Sequence, residues 1–343
     1  MTTNEDASQE QQPSPILFFA TINAFHSSEV LKAAIELAVF TAIDEGAATA
    51  QEIARQCETS ERGMRTLCDF LVTIGFLIKT EGRYSLTRDS TVFLSKRSTA
   101  YIGGAMTFLF NPMMIEAFRN VAAAVRKGGT ALDGTGSIEP ENPVWVEFAH
   151  AMAPLMTMPA ELIAKLLNAD AAPEWKVLDI AAGHGMFGIT IARHNPNAQI
   201  VALDWPNVLS VARENAERAG VADRISPLPG SAFEVDFGSD YDLVLLTNFL
   251  HHFDSQTCEK LLRKVHSALK PGGRAVTFDF VPNEDRVSPP QAATFSMIML
   301  VTTPTGDAYP FSEFERMFRN AGFVSSELHP LPPSFENVVI SRK

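Results

Sequence analysis

Apolar positions in the first third of the chain recur at mixed three- and four-residue spacing. The run ILFFATINAFHSSEVLKAAIELAVFTAIDEG predicts a pair of amphipathic helices stopping at Gly46. Thr49 with Glu52 three residues on reads as a capping box, and Thr59 and Ser60 open a further helix through MRTLCDFLVTIGFL that breaks near Gly75. LIKTEGRYSL then gives two short extended runs around Glu81 and Gly82, a hairpin with Gly in its turn. Helices followed by a small hairpin make a winged-helix arrangement. Residues 95–170 read as helical, interrupted by the glycine-rich loop KGGTALDGTG. From Trp175 the pattern changes. Near-continuous apolar runs (KVLDIA, QIVALD, YDLVLLT, RAVTFDFV) alternate with helical ones (GMFGITIARHN, NVLSVARENAERAG, SQTCEKLLRKVHSALK), the mark of a parallel sheet covered on both faces. The last two runs, FVSSELH and ENVVIS, are separated only by a short segment holding Pro330, Pro332 and Pro333. That gap is too short for a crossover, so they pair antiparallel. The expected division is a disordered leader at 1–14, a winged-helix domain at 15–100, a helical linker at 101–170 and an α/β domain at 171–343.

Composition narrows the function classes. With 343 residues, two domains are expected. The 28 Lys and Arg against 40 Asp and Glu leave a net charge of −12, a poor match for phosphate backbones or acidic lipid. The winged helix does not escape this: residues 1–100 hold nine basic and thirteen acidic side chains. Its candidate recognition helix sets Arg62 and Arg65 beside Glu61 and Asp69 on an otherwise apolar body, so a protein partner suits it better than a major groove. No apolar stretch approaches the ~20 residues of a membrane span, and the leader MTTNEDASQEQQPSP lacks the basic and apolar regions of a signal peptide. Cys57, Cys68 and Cys258 lie far apart with no paired or metal-like spacing, which fits a reducing cytoplasm and predicts no metal site.

The segment most informative about chemistry is VLDIAAGHGMFGI, at the end of the first strand of the α/β domain. Gly183, Gly185 and Gly188 satisfy G-x-G-x-x-G, a weak signal shared by several nucleotide binders. Asp204 follows Gly185 by 19 residues at the tip of the next strand, a spacing suited to a carboxylate that accepts ribose hydroxyls. Asp179, four residues before Gly183, separates the candidates. It would repel the pyrophosphate of a dinucleotide at the helix N-terminus. It would favour the ammonium and sulfonium of S-adenosyl-L-methionine (SAM). An NAD-dependent oxidoreductase is therefore the rival reading, and a carboxylate that merely caps the loop the bland one.

On these residues the chain resembles the SAM-dependent class I O-methyltransferases with an N-terminal winged-helix dimerisation domain, of the acetylserotonin, caffeate and hydroxyneurosporene type. The likeness runs from about Pro15 to Lys343. It implies a seven-stranded Rossmann-like methyltransferase sheet with its last strand antiparallel, a homodimer through the N-terminal domain, and SAM as cofactor with S-adenosyl-L-homocysteine as product. DIAAGHG looks like the family's D-x-G-x-G-x-G loop with Ala181 for the first glycine, which predicts a slightly wider loop. DWPNV resembles D-L-P-x-V, placing Asp204 on the ribose and Trp205 on the adenine face. PGSAFEVDFG resembles the family's G-D-F-F segment, so Ser231, Ala232 and Phe233 fall on the adenine edge with a hydroxyl where a carboxylate is usual. Thr247 stands where family members often have Lys.

The same resemblance puts His251 on the family's catalytic base, with His252 in place of the usual Asp. A neutral hydroxyl is a poor nucleophile, and a phenol with a pKa of ~10 is scarcely ionised at neutral pH. An imidazole in hydrogen-bond reach removes that proton as the new bond forms. The family's orienting Glu falls on Asp279, one methylene shorter, which leaves room for a water-mediated contact. Its second Glu falls on Ala308, with Asp307 adjacent but out of register. Met106, Met113, Met114, Met152, Met156, Met158, Met297 and Met299 lie in segments that roof the family's pocket, together with Phe110, Phe148 and Phe295. Thioethers and rings there suit a flat aromatic acceptor, although spacing such as that of Met152 and Met156 is equally what a core stripe produces. His252 is counted with this pocket, a loop histidine in water being the simpler alternative. C- or N-methylation and a catalytically silent SAM-binding regulator stay open beside O-methylation.

Overall fold

The computed structural model describes residues 13–343, so the expected leader lies outside the described residues except for Pro13 and Ser14. The chain divides into two units, one ending at Gly103 and the other Gly104–Lys343. In the first, α1 (Ile16–Glu36), α2 (Val39–Asp44), α3 (Ala50–Gln56) and α4 (Glu61–Thr73) precede a hairpin of β1 (Leu77–Thr80) and β2 (Arg83–Leu86), then α5 (Arg88–Phe93). The Thr49 hydroxyl accepts from Glu52 N while the Glu52 carboxylate accepts from Thr49 N, the reciprocal box the spacing predicted. Glu81 and Gly82 both have positive φ, as a two-residue hairpin turn requires. Phe40, Ile53, Met64, Leu71 and Leu77 form the core of this unit. Six large apolar side chains of α1 (Ile16, Leu17, Phe18, Phe19, Ile22, Phe25) are 56–79% exposed.

The second unit opens with α6 (Met106–Leu109), α7 (Pro112–Arg119), α8 (Val121–Lys127) and the long α9 (Val144–Leu166), then alternates strand and helix. In order come β3 (Lys176–Ile180), α10 (Met186–His194), β4 (Gln199–Asp204), α11 (Pro206–Arg218), β5 (Ile225–Pro229) and β6 (Tyr241–Thr247). There follow α12 (Ser255–Ala268), β7 (Leu269–Asp279), α13 (Pro290–Thr302), α14 (Phe311–Asn320), β8 (Ser325–Pro330) and β9 (Asn337–Arg342). Strand order is β5-β4-β3-β6-β7-β9-β8, with β3, β4, β5, β6 and β7 parallel and β9 antiparallel to both neighbours.

Two boundaries depart from the sequence pattern. β5 carries Pro227 and Pro229 and does not read as a strand, but it lies at the sheet edge, where a missing N–H costs no ladder bond. β7 begins at Leu269, within the run that reads as helix up to Lys270. Strand order reverses between β3 and β6, so a crevice opens at the carboxyl ends of those two strands. Apolar clusters cover both faces of the sheet, one built on α12 and α14 and the other on α9 and α10. Among the described residues no helix is long and apolar enough to cross a membrane.

Candidate active site

The crevice is bounded by the loop between β3 and α10. Ala181, Gly183 and Gly185 all take positive φ (55°, 57° and 73°), so the main chain turns back on itself within five residues. For Ala181 the left-handed conformation costs roughly 1–2 kcal/mol against its Cβ. The loop nevertheless stays tight, with Gly185 N donating to Ala182 O at 2.7 Å and Ala182 N to Leu203 O at 3.0 Å. Ala181 thus takes a left-handed conformation of the kind glycine adopts freely.

Two carboxylates flank this loop. Asp179 is 1% exposed; its Oδ2 accepts from Gly188 N at 3.1 Å and its Oδ1 has no partner. Burial pushes its carboxyl up to about 7, the Asp204 charge adding to the shift. Asp204 Oδ2 accepts from Gly183 N at 2.8 Å and Oδ1 from Trp205 N at 2.7 Å, which leaves acceptor capacity on each oxygen. Burial raises this group also, to about 6. Between them the loop carries His184, which sequence reasoning passed over. Its Nδ1 accepts from Met186 N at 3.1 Å, its ring stacks on Phe148, and burial lowers it to about 4, so it is neutral. The signal was its place inside the glycine loop.

Across the crevice, the turn after β6 holds His251, 3% exposed. Its Nδ1 meets Asp279 Oδ1 at 2.7 Å, and that oxygen also accepts from Phe280 N at 2.8 Å. The contact is direct, not water-mediated: the short Asp reaches because it terminates β7, beside the strand that delivers the histidine. Asp279 is fully buried and its Oδ2 has no partner. In the tautomer that donates Nδ1–H to the carboxylate, the ring's lone pair lies on Nε2. The His251 ring meets Phe295 edge to face at 4.8 Å, and Phe295 stacks on Phe280 at 4.0 Å. Behind it, Asp307 N donates to His251 O at 2.9 Å, and a Cβ at Gly306 would stand 2.3 Å from that same oxygen. Only glycine lets this segment lie so close.

The comparisons with known proteins follow this geometry. Residues 138–324 match the family model for the O-methyltransferase domain, and residues 19–96 the model for the O-methyltransferase dimerisation domain. The chain belongs to the O-methyltransferase family. Among curated relatives, 3-hydroxy-5-methyl-1-naphthoate 3-O-methyltransferase of Streptomyces sahachiroi is 27% identical over 90% of this chain and 89% of its own length. Acetylserotonin O-methyltransferase of Gallus gallus is also 27% identical, over 92% and 94%. A crystal structure from Nostoc punctiforme, provisionally assigned as an O-methyltransferase, superposes with a TM-score of 0.94 at 56% identity, covering 97% of this chain and all of that one. Human N-acetylserotonin methyltransferase, solved with SAM, shares the fold with a TM-score of 0.84 at 22% identity over 98% and 99%.

Within this O-methyltransferase the remaining expected residues are distributed unevenly. Trp205 is half-buried against a small cluster of Ala149, Val208 and Val211. Ser231 Oγ accepts from Phe233 N at 3.2 Å; Ala232 is buried in the main core and its carbonyl accepts from Lys264 Nζ at 3.0 Å, so its main-chain N–H is what remains available. Phe233 is 40% exposed and meets Phe253 edge to face. Thr247, the last residue of β6, is buried. His252 is buried with Trp145, Phe249 and His251 around its ring, and its Nδ1 has no partner; burial holds it well below the usual imidazole range. Phe148 joins Trp145 and Phe108 edge to face, which ties α6 to α9. Met106 and Phe110, at the two ends of α6, are half-buried. Met152 and Met156 pack in the core beneath α9, with Met156 Sδ 3.9 Å from Asn248 Nδ2. Met299 is buried on α13, whereas Met158 and Met297 are over 40% exposed. Met158 and Met297 lie two positions from Met156 and Met299 and so face the other way on their helices. Ala308 is fully buried, and the adjacent Asp307 carboxylate is held by Arg286 at 2.8 Å.

Proposed function

We propose that this O-methyltransferase methylates a hydroxyl on a small, planar, polyketide-like aromatic acceptor, with His251 as general base. The observation that carries the reading is the buried 2.7 Å pair of His251 with Asp279 beside an aromatic wall. A catalytically silent binder has no use for an oriented, buried imidazole, so turnover is preferred over a scaffold. SAM supplies a methyl group activated by its bond to a sulfonium, and S-adenosyl-L-homocysteine is left.

The chain supplies the rest. Asp179, with its unpartnered oxygen, suits the cofactor's ammonium, and the Gly183–Gly185 turn lets the main chain approach. Asp204 retains a lone pair on each oxygen for two ribose hydroxyls. Trp205, Ser231, Phe233, the Ala232 main chain and Thr247 are assigned to the adenosine side. His251 Nε2 takes the acceptor's proton as the O–C bond forms, worth ~10²–10⁴ in rate, and the Asp279 carboxylate offsets the imidazolium. Phe295, Phe148, His252, Met106, Phe110, Met152, Met156 and Met299 are assigned to the acceptor pocket. The exposed apolar α1, in the region matching the dimerisation domain, is read as the seam of a homodimer. The unpaired Cys57, Cys68 and Cys258 suit the cytoplasm.

The test is a screen of hydroxynaphthoates and phenols for S-adenosyl-L-homocysteine release. His251→Ala is expected to lose 10²–10⁴ in kcat with SAM affinity retained. Full activity in that variant on a hydroxyl acceptor overturns the general-base assignment.

A further inference from the structure

His251 has one carboxylate in contact, and the family's second acidic position is Ala308 here. A different acidic side chain lies close by. Glu336 precedes β9, whose first residue Asn337 pairs in register with Asp279. It is only 7% exposed. Its Oε2 receives the Ser334 hydroxyl at 3.4 Å, and the Asn248 side chain, from the turn that leads to His251, is a second hydrogen-bond partner. Asn248 is itself fixed by its N–H to Phe278 O at 2.8 Å, one residue before Asp279. The Asp279 oxygen not used by His251, Oδ2, is buried without a partner. Two buried carboxyls thus stand at adjacent strand ends, Asp279 in contact with the imidazole and Glu336 one residue from its paired position.

We propose that Glu336 is a positioning residue for methyl transfer, a second buried carboxyl behind the His251–Asp279 pair whose charge state adjusts the field that His251 meets as it takes the acceptor's proton. The inference rests on the reading of His251 as base. Burial first, and the Asp279 charge second, push the Glu336 carboxyl up to about 8; the Asn248 and Ser334 contacts oppose this only in part. Near pH 7 it is therefore mainly neutral. Above pH 8 it ionises. The added charge stabilises the imidazolium that forms on His251 during transfer, and the rate rises. Glu336 forms no bond to the substrate; on ionising, its O–H bond breaks and the proton passes to solvent.

The experiment compares wild-type protein with Glu336→Gln, which keeps shape and neutrality, across pH 6.5–9.5. Histidine-labelled protein followed by nitrogen NMR, with the His251 signals assigned by their loss in His251→Ala, needs no acceptor. Wild type is expected to show a step in the His251 ring signals centred near pH 8, absent from Glu336→Gln. With any hydroxynaphthoate that is turned over, wild-type kcat should rise on the order of tenfold more than that of the variant from pH 7 to 9.5, with unchanged KM for SAM. Equal rates for the two proteins are expected at pH 6.5. Identical His251 titrations in both proteins overturn the proposal. If no hydroxyl acceptor is turned over, the base assignment fails separately from the NMR result. If Glu336→Gln does not fold, Glu336→Asp takes its place, and an unmoved midpoint overturns the proposal.

Discussion

Asp179 is a carboxylate buried with one oxygen unpartnered, and the proposal that it receives the cofactor's ammonium predicts that binding is coupled to a proton. Its carboxyl sits at about 7, against 3.8 for an ordinary Asp. Only the ionised form attracts an ammonium group, so wild-type protein should bind SAM about tenfold more weakly at pH 6 than at pH 8, and about thirtyfold more weakly at pH 5.5. If the bound cation returns the group to its ordinary range, the coupling reaches about 4 kcal/mol, three pK units at ~1.4 kcal/mol each. The sign for stability is opposite. The folded carboxyl titrates above its unfolded value, so the native protein holds more protons between about pH 4 and 7. The cofactor-free protein therefore loses stability as pH rises through that window, and Asp179→Asn should be the more stable protein at pH 8. The same variant should bind SAM up to ~10³-fold more weakly at pH 8, still about tenfold more weakly at pH 5, and converge with wild type only below about pH 4. Calorimetry in two buffers of different ionisation enthalpy measures both affinity and proton release, about one proton per cofactor bound near pH 6. Equal affinity at pH 6 and pH 8 with no proton released refutes the argument.

Two further outcomes follow from packing. Gly306→Ala sets a methyl carbon against His251 O, so the loop must shift; kcat should fall at least tenfold with SAM affinity unchanged, and a wild-type rate would show the loop to be slack. Phe18→Asp with Phe19→Asp places charges on the exposed face of α1, and light scattering should report a monomer where the parent is a dimer; an unchanged mass would move the seam elsewhere.

Much was legible because its signals are local. The capping box at Thr49, the hairpin at Glu81 and Gly82 and the β3 loop depend on residues within ten positions of each other. A chain writes such conformations directly into residue type. Alternating apolar runs announced the parallel sheet, since strands covered on both faces can be little else. Placing Asp179, Asp204, His251 and Asp279 at strand ends put them on one rim before any coordinate was known.

What tertiary structure alone decided concerns contacts that no local pattern encodes. β5, with two prolines, became a strand because the sheet edge tolerates them. Met156 went inward and Met158 outward by the turn of one helix against its neighbours. The charge states of Asp179 and His184 follow from dryness, which depends on everything packed around them. Glu336 comes to lie one residue from the partner of Asp279 only because β9 runs antiparallel beside β7 in one register. Sequence states which groups are present and how the chain turns near them; burial and cross-strand register, which fix their charge and their neighbours, are properties of the whole fold.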